Sequence, residues 1–344
     1  MNFKIRYSTV LPMINLCEKL KNGQATRDEF KQLLDHEDYQ AEFERYKGRL
    51  NEDEFLNYIM NIFNLEEKDI ANMDLKAHHK YFIYFLDNID FYKNKFNEFI
   101  NKITPEFVEC QVNVALKGLP DNLDLPEPNY IFTIGIGRSN GYVHKNNLVF
   151  DIIQTFTFFN NLDDFCSMFA HETHHLAMYN CIYSDIDEST LTPEEYFYLS
   201  FSSEGLAVKF CNNAEGVLSK AIYDSAKNIG LDKFTWKYLN NDFPDTMKHF
   251  RSTVKNIQSG AYNMDDVEKD LSDYWTNFYT KDQKKGEVPK LLHFRCYTFG
   301  NDIWGMIYDC FGKEALYDTI KHPNKFPKIY NKSLEKIGHP EYKI

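Results

Sequence analysis

The pentapeptide His171-Glu172-Thr173-His174-His175 has the form HExxH. On a helix, residues four apart are offset by about 40° and lie roughly 6 Å apart along the axis, so His171 and His175 share a face and reach one ion. Glu172 beside them is placed to take a proton from a water that the ion activates. The chemistry implied is metal-assisted hydrolysis, with two imidazole ligands and a carboxylate as general base. His174 lies off the shared face and is not read as a ligand. The bland alternative is a pair of buried imidazoles held by ordinary hydrogen bonds, and the Glu between them favours the metal.

A catalytic zinc site takes three protein ligands and keeps one position open. The pattern HExxHxxGxxH fails here, because Met178 stands at the glycine position and Cys181 at the third histidine. Downstream, Thr192 as N-cap, Pro193 at the first helical position and Glu195 at the capping-box position open a second helix. Its pattern runs through Tyr196, Leu199 and Phe201 to about residue 212. Within it, Ser203-Glu204-Gly205-Leu206-Ala207 sets a carboxylate among small residues that let another helix approach closely, and Glu204 is read as the third ligand. The HExxH helix itself is expected over about 162–182. Asn160 and Asn161 suit its cap, Asp163 and Asp164 suit its positive end, and Leu162, Phe165, Phe169, Leu176 and Tyr179 recur at helical spacing.

HExxH followed by a Glu on the next helix resembles the gluzincin branch of zinc peptidases. The Glu-Gly-Leu-Ala form is similar to a group of bacterial zinc-dependent peptidases known mainly by this motif pair. The resemblance covers residues 106–212, and more loosely Tyr297-Thr298-Phe299-Gly300, His322-Pro323 and Tyr330-Asn331. It implies a zincin-like core, Zn2+ as cofactor, and a metallopeptidase acting on a peptide or protein substrate. It also implies a donor for the developing oxyanion, with Tyr297 first and His293 second, on a helix that Pro289 opens and that runs through Leu292, Cys296, Phe299 and Ile303. By the same resemblance Gly141 to Asn146 forms a strand that receives extended substrate, and a plain surface hairpin is the equal alternative. Gluzincins often carry an Asp four residues after the ligand Glu, where this chain has Val208. The partner expected for the second nitrogen of His171 is therefore open, with Asp185 and Asp187 as candidates.

The elements around these residues read as an α+β fold, predominantly helical, with a small sheet beside the HExxH helix. Three regions are expected: helical 1–104, a catalytic core at 105–212 and helical 213–344. Tyr130 to Ile136 and Leu148 to Ile153 read as strands joined by a glycine-rich turn. The turn's Gly135-Ile136-Gly137 is a poor dinucleotide fingerprint, since Asn140 replaces the third glycine and a strand follows. Helices are expected from Thr26 to Tyr46, from Asn51 with Phe55, Ile59 and Phe63, from Met73 to Ile103, and from Thr104 to Lys117, with later breaks at Gly230, the Pro244 region, Gly260 and Gly286. His78 and His79 are neighbours, point apart and are read as ordinary.

Whole-chain properties exclude several classes. A net charge of −12 opposes binding to a phosphate backbone, so the 16% aromatic content reads as core and cleft wall, with no nucleic-acid partner. The first ten residues lack a continuous apolar run and no stretch reaches the roughly 18 residues of a membrane helix, so no membrane association is expected. Seven scattered cysteines without a CxxC pair read as free thiols of a reducing compartment, which makes the location cytoplasmic. The alternatives to a peptidase are a zinc hydrolase of a non-peptide amide and a catalytically silent, peptidase-like binding or regulatory protein. Oligomeric state has no signature in the sequence.

Overall fold

Capping side chains cut the apolar period of this chain into shorter helices than the period alone implies. The computed structural model describes residues 2–121, 123–137, 140–159, 162–223, 230–284 and 289–344. The expected caps Asn160 and Asn161, Arg138 and Ser139 of the glycine-rich stretch, and Gly286 lie outside the described residues, as does the side chain of Asp163. Two compact units form, Met1–Cys110 with Leu125–Phe165, and Gln111–Asp124 with Cys166–Ile344.

The first unit contains α1 (Val10–Lys21), α2 (Arg27–Leu34), α3 (Glu37–Arg45), α4 (Glu52–Asn61), α5 (Met73–Asp87), α6 (Ile89–Ile100), the first half of α7 (Pro105–Lys117) and α8 (Ile152–Phe158). Thr26 opens α2 with a capping box to Glu29, and Asn51, the expected start of α4, adds a second box to Glu54. The single helix expected from Thr26 to Tyr46 is instead two, because His36 adopts extended backbone and its Nδ1 accepts from Asp38 N at 3.2 Å, starting α3 afresh. The helix expected over Met73–Ile103 breaks at Asn88, whose amide donates to the Tyr84 carbonyl at 2.8 Å and caps α5. Phe63 falls beyond the end of α4 and is exposed, while Ile62 takes the buried position. His78 and His79 are both buried, and His79 Nδ1 meets the Tyr58 hydroxyl at 3.0 Å.

A four-stranded mixed sheet completes this unit, in the order β1 (Lys4–Arg6), β2 (Asn129–Thr133), β4 (Asn147–Asp151), β3 (Gly141–His144). β2 lies parallel to β1 and to β4, in register Tyr130 to Leu148 and Phe132 to Phe150. The expected pair of strands is thus present, but as parallel neighbours with a further strand between them in sequence. The hairpin is β3 with β4, turning at Lys145, which takes φ 54°. Four consecutive residues are buried in each of β2 and β4, the run expected of strands covered on both faces. Beyond β2, Ile136 N donates to the buried Glu42 carboxylate at 3.2 Å and Gly135 N to Asp151 at 2.8 Å.

The second unit is helical among its described residues: the second half of α7, then α9 (Leu162–Cys181) from Cys166 on, α10 (Pro193–Leu199), α11 (Ser202–Cys211), α12 (Lys233–Asn241), α13 (Phe243–Gln258), α14 (Met264–Asp270), α15 (Arg295–Lys321) and α16 (Phe326–Ile337). α10 begins with the expected Thr192–Glu195 capping box and Pro193. The helix expected to run on to residue 212 is interrupted, because the hydroxyls of Ser200 and Ser202 donate to the carbonyls of Tyr196 and Leu199 at 2.7 and 2.5 Å. α11 restarts at Ser202 and lies so close to α15 that a Cβ on Gly205 would stand 2.1 Å from the Gly300 carbonyl carbon. Lys209, fully buried on α11, fixes this pairing by donating to Asp309 of α15 at 2.7 Å and to Ser219 Oγ at 2.9 Å. All seven cysteines are free, and among the described residues no helix is long and apolar enough to cross a membrane.

Candidate active site

α9 is buried on nearly every side after its first turn, and of its buried histidines His171 and His175 are hydrogen-bonded while neither nitrogen of His174 is. Phe169, Ala170, Leu176, Ala177 and Met178 are buried, and so are His171, His174 and His175. Tyr179 departs from the expected apolar stripe and is 47% exposed, with its ring stacked on that of His175 at 14°. His174 packs on Phe210 and takes no part in the cluster described next.

α9 and α11 are aligned so that the early His of the motif meets the end of α11 and the later His meets its start. His171 Nε2 and His175 Nε2 lie 3.0 Å apart, and Glu204 Oε2 lies 3.1 Å from the first and 3.2 Å from the second. The remaining ring nitrogens fix the tautomers. Asn212 Oδ1 can only accept, so the His171 Nδ1–H donates to it at 2.9 Å. Ser203 Oγ donates to the Tyr179 hydroxyl at 3.4 Å and accepts from His175 Nδ1–H at 2.9 Å. Both Nε2 atoms then present lone pairs to each other and to a carboxylate.

Three electron-pair donors converging in a largely buried place need a proton or a metal cation among them. Tetrahedral coordination with bonds of about 2.05 Å separates its ligand atoms by about 3.4 Å, close to the spacing here. His171, His175 and Glu204 could therefore hold a metal ion. Burial opposes a charge on His171, but the carboxylates of Glu204 and Glu172 outweigh it and push its pKa up. Burial would raise the Glu204 pKa, yet His175 and His171 hold it well below the usual carboxylate range.

Glu172 is half-buried beside this cluster and is not one of the converging ligands. Its charge acts on His171, Cys211 and Tyr297, which places it at the cluster's edge. Tyr297 comes from the first turn of α15, one turn before Gly300, and its ring lies on that of His171 at 5.9 Å and 26°. The close approach of Gly205 to Gly300 is what brings Tyr297 beside Glu204. Burial, then the carboxylate of Glu204, holds the Tyr297 phenol far above its ordinary pKa, so Tyr297 keeps its O–H, which is hydrogen-bonded with Glu204.

Two expectations need correction. α15 starts at Arg295 with Phe294 as its N-cap, so Pro289 opens no helix and His293 precedes it. His293 is buried, held at about 4 by burial, and touches Tyr297 at 5.8 Å, one ring further from the ligands. Asp185 and Asp187 do not meet His171: the first pairs with Lys321 at 3.3 Å and the second accepts from Ser189 N at 3.1 Å. Asn212 and Ser203 hold the two imidazoles instead. Ser203 was legible as the neighbour of Glu204, whereas nothing local marks Asn212, which lies 41 residues from its partner.

No curated protein and no solved structure matches the chain. Residues 30–338, which include every residue of the cluster, match the family described as "Putative zinc dependent peptidase (DUF5700)". On the strength of that match across most of its length, the chain belongs to this family.

Proposed function

We propose that the protein is a gluzincin-like zinc metallopeptidase with a zincin-like core, in which His171, His175 and Glu204 hold Zn2+. The observation that carries the reading is the convergence of two Nε2 lone pairs and one carboxylate oxygen within 3.2 Å, with both Nδ1 atoms already engaged. Zn2+ bound there supplies Lewis acidity to a water and to the carbonyl of the scissile amide. Glu172 takes the proton of the attacking water as its oxygen bonds to the carbonyl carbon, and returns that proton to the amide nitrogen as the C–N bond breaks. Tyr297 donates its O–H to the carbonyl oxygen as negative charge develops there. Burial of His171 and His175 strengthens the interactions they make by limiting water around them. Seven free thiols support a reducing, cytoplasmic setting.

The test is metal content by mass spectrometry on protein purified without added metal, followed by incubation with a quenched-fluorescence peptide library with and without chelator. Bound zinc and chelator-sensitive cleavage are expected. Zinc without cleavage of any peptide would point to a non-peptide amide substrate or to a silent binding protein, and would overturn the peptidase reading.

A further inference from the structure

The two imidazoles of the cluster are oriented by neutral groups. Asn212 and Ser203 are both carried by α11 or its C-cap, the helix that also carries Glu204. We infer that Asn212 is the positioning residue of His171, and that its carboxamide sets the affinity of the site for zinc below what a carboxylate in the same place would give. The inference rests on the ligand set proposed above.

Geometry gives the reason. Asn212 is the C-cap of α11, with backbone still in the right-handed helical region and its N–H closing the helix onto the Val208 carbonyl, and its side-chain oxygen reaches His171 on α9. The following residue, Asn213, takes φ 49° and is tied to Tyr223 by a pair of hydrogen bonds, Tyr223 N to its Oδ1 at 2.7 Å and its Nδ2 to the Tyr223 carbonyl at 3.2 Å. Asn213 thus anchors the turn that aims Asn212. The 2.9 Å bond from His171 Nδ1–H both orients the ring and keeps the proton off Nε2. A carboxylate acceptor would draw that proton more strongly and make Nε2 a better electron donor to the ion; a carboxamide does so less. With Val208 buried and apolar, Asn212 supplies the acceptor for His171 from one further turn along the helix.

The experiment is zinc affinity of the full chain by competition with a chromophoric chelator, for wild type, Asn212→Leu, Asn212→Asp and Glu204→Ala, with folding checked by thermal melting. The visible band of the cobalt-substituted proteins gives a second readout of ligand geometry. Asn212→Leu is expected to bind zinc about 10 to 100-fold more weakly and to change the cobalt band. Asn212→Asp is expected to restore the band and to bind zinc more tightly than wild type, and affinity equal to wild type would overturn the claim that the carboxamide lowers it. If Asn212→Leu binds like wild type while Glu204→Ala loses zinc, the positioning role is wrong and the ligand set stands. If Asp fails to rescue what Leu loses, the role is not hydrogen-bond acceptance and the inference is also wrong. If Glu204→Ala keeps wild-type affinity, the ligand set itself falls.

Discussion

Gly205→Ala tests whether the contact between α11 and α15 builds the site. The added Cβ would stand 2.1 Å from Gly300 C, 2.5 Å from Gly300 O and 2.6 Å from Asn301 N. All three are backbone atoms, so no side-chain rotation relieves the overlap. Carbon atoms rest about 3.5 Å apart, so the helices must separate locally by about 1.4 Å. Overpacking of this kind costs about 1–3 kcal/mol, and the better helix propensity of Ala returns about 1 kcal/mol, so a net loss of about 0–2 kcal/mol is expected. The functional loss should be larger than that figure suggests. Glu204 adjoins the substituted residue, Tyr297 lies one turn before Gly300, and misplacement by about 1 Å lowers rates about 10²-fold. Gly338→Ala is the control, since Gly338 caps α16 with φ 83°, has nothing within 4 Å of its Cβ position, and costs about 1–2 kcal/mol in backbone strain alone. Melting temperature and peptide cleavage are measured for both. Both variants should melt lower, and only Gly205→Ala should lose cleavage. Wild-type cleavage by a folded Gly205→Ala protein would refute the role given to this helix contact.

Three further outcomes are expected. Glu172→Gln should retain wild-type zinc content and lose about 10² to 10⁴ in turnover, read by mass spectrometry and by cleavage of a good library peptide; loss of the metal would make Glu172 a ligand and not the base. Tyr297→Phe should lower kcat by about 10² to 10³ with zinc affinity unchanged, and an unchanged kcat would remove Tyr297 from the mechanism. The pH dependence of stability should bear the mark of the first unit, where burial pushes Glu42 up to about 8 and Asp151 up to about 7. A carboxyl whose pKa is raised on folding binds its proton more tightly in the folded chain, so stability falls as pH rises from the unfolded pKa to the folded one. Buried His78, lowered to about 4, acts only below its ordinary value of 6.5, which leaves pH 6.5 to 8 to the carboxyls among these three groups. Over that window Glu42→Gln should show a flatter fall in melting temperature than wild type, and an identical slope would show that Glu42 ionises normally.

The parts of this structure legible in the sequence are those that repeat within one element. His171 and His175 declare themselves by four-residue spacing, and Thr192 with Glu195 by three-residue capping. Glu204 follows from them because a carboxylate beside Gly205 marks a close helix approach, which Gly300 then supplies. What the sequence hides depends on register between elements. Asn212 meets His171 only through the alignment of α9 with α11, and Asp185 and Asp187 were candidates merely by nearness along the chain. The parallel pairing of β2 with β4 was hidden for the same reason, because strands adjacent in sequence suggest a hairpin and β3 takes that place. β1 is three residues long, too short to show a period. The breaks at His36, Asn88 and Ser200 come from single polar side chains bonding to nearby backbone, against which a continuing apolar pattern gives no warning.

Lys209 carries a consequence for how an ion held as proposed would enter and leave. Its ammonium, buried and bonded to Asp309 and Ser219, ties α11 to α15 through contacts in which the three ligand atoms take no part. Glu204 therefore stays in register with α15 and Tyr297 whatever occupies the cluster. Exchange of an ion held there as proposed would then need no rearrangement of α11 against α15, and its rate should follow the size and hydration of the incoming ion and not the slower timescale of helix rearrangement.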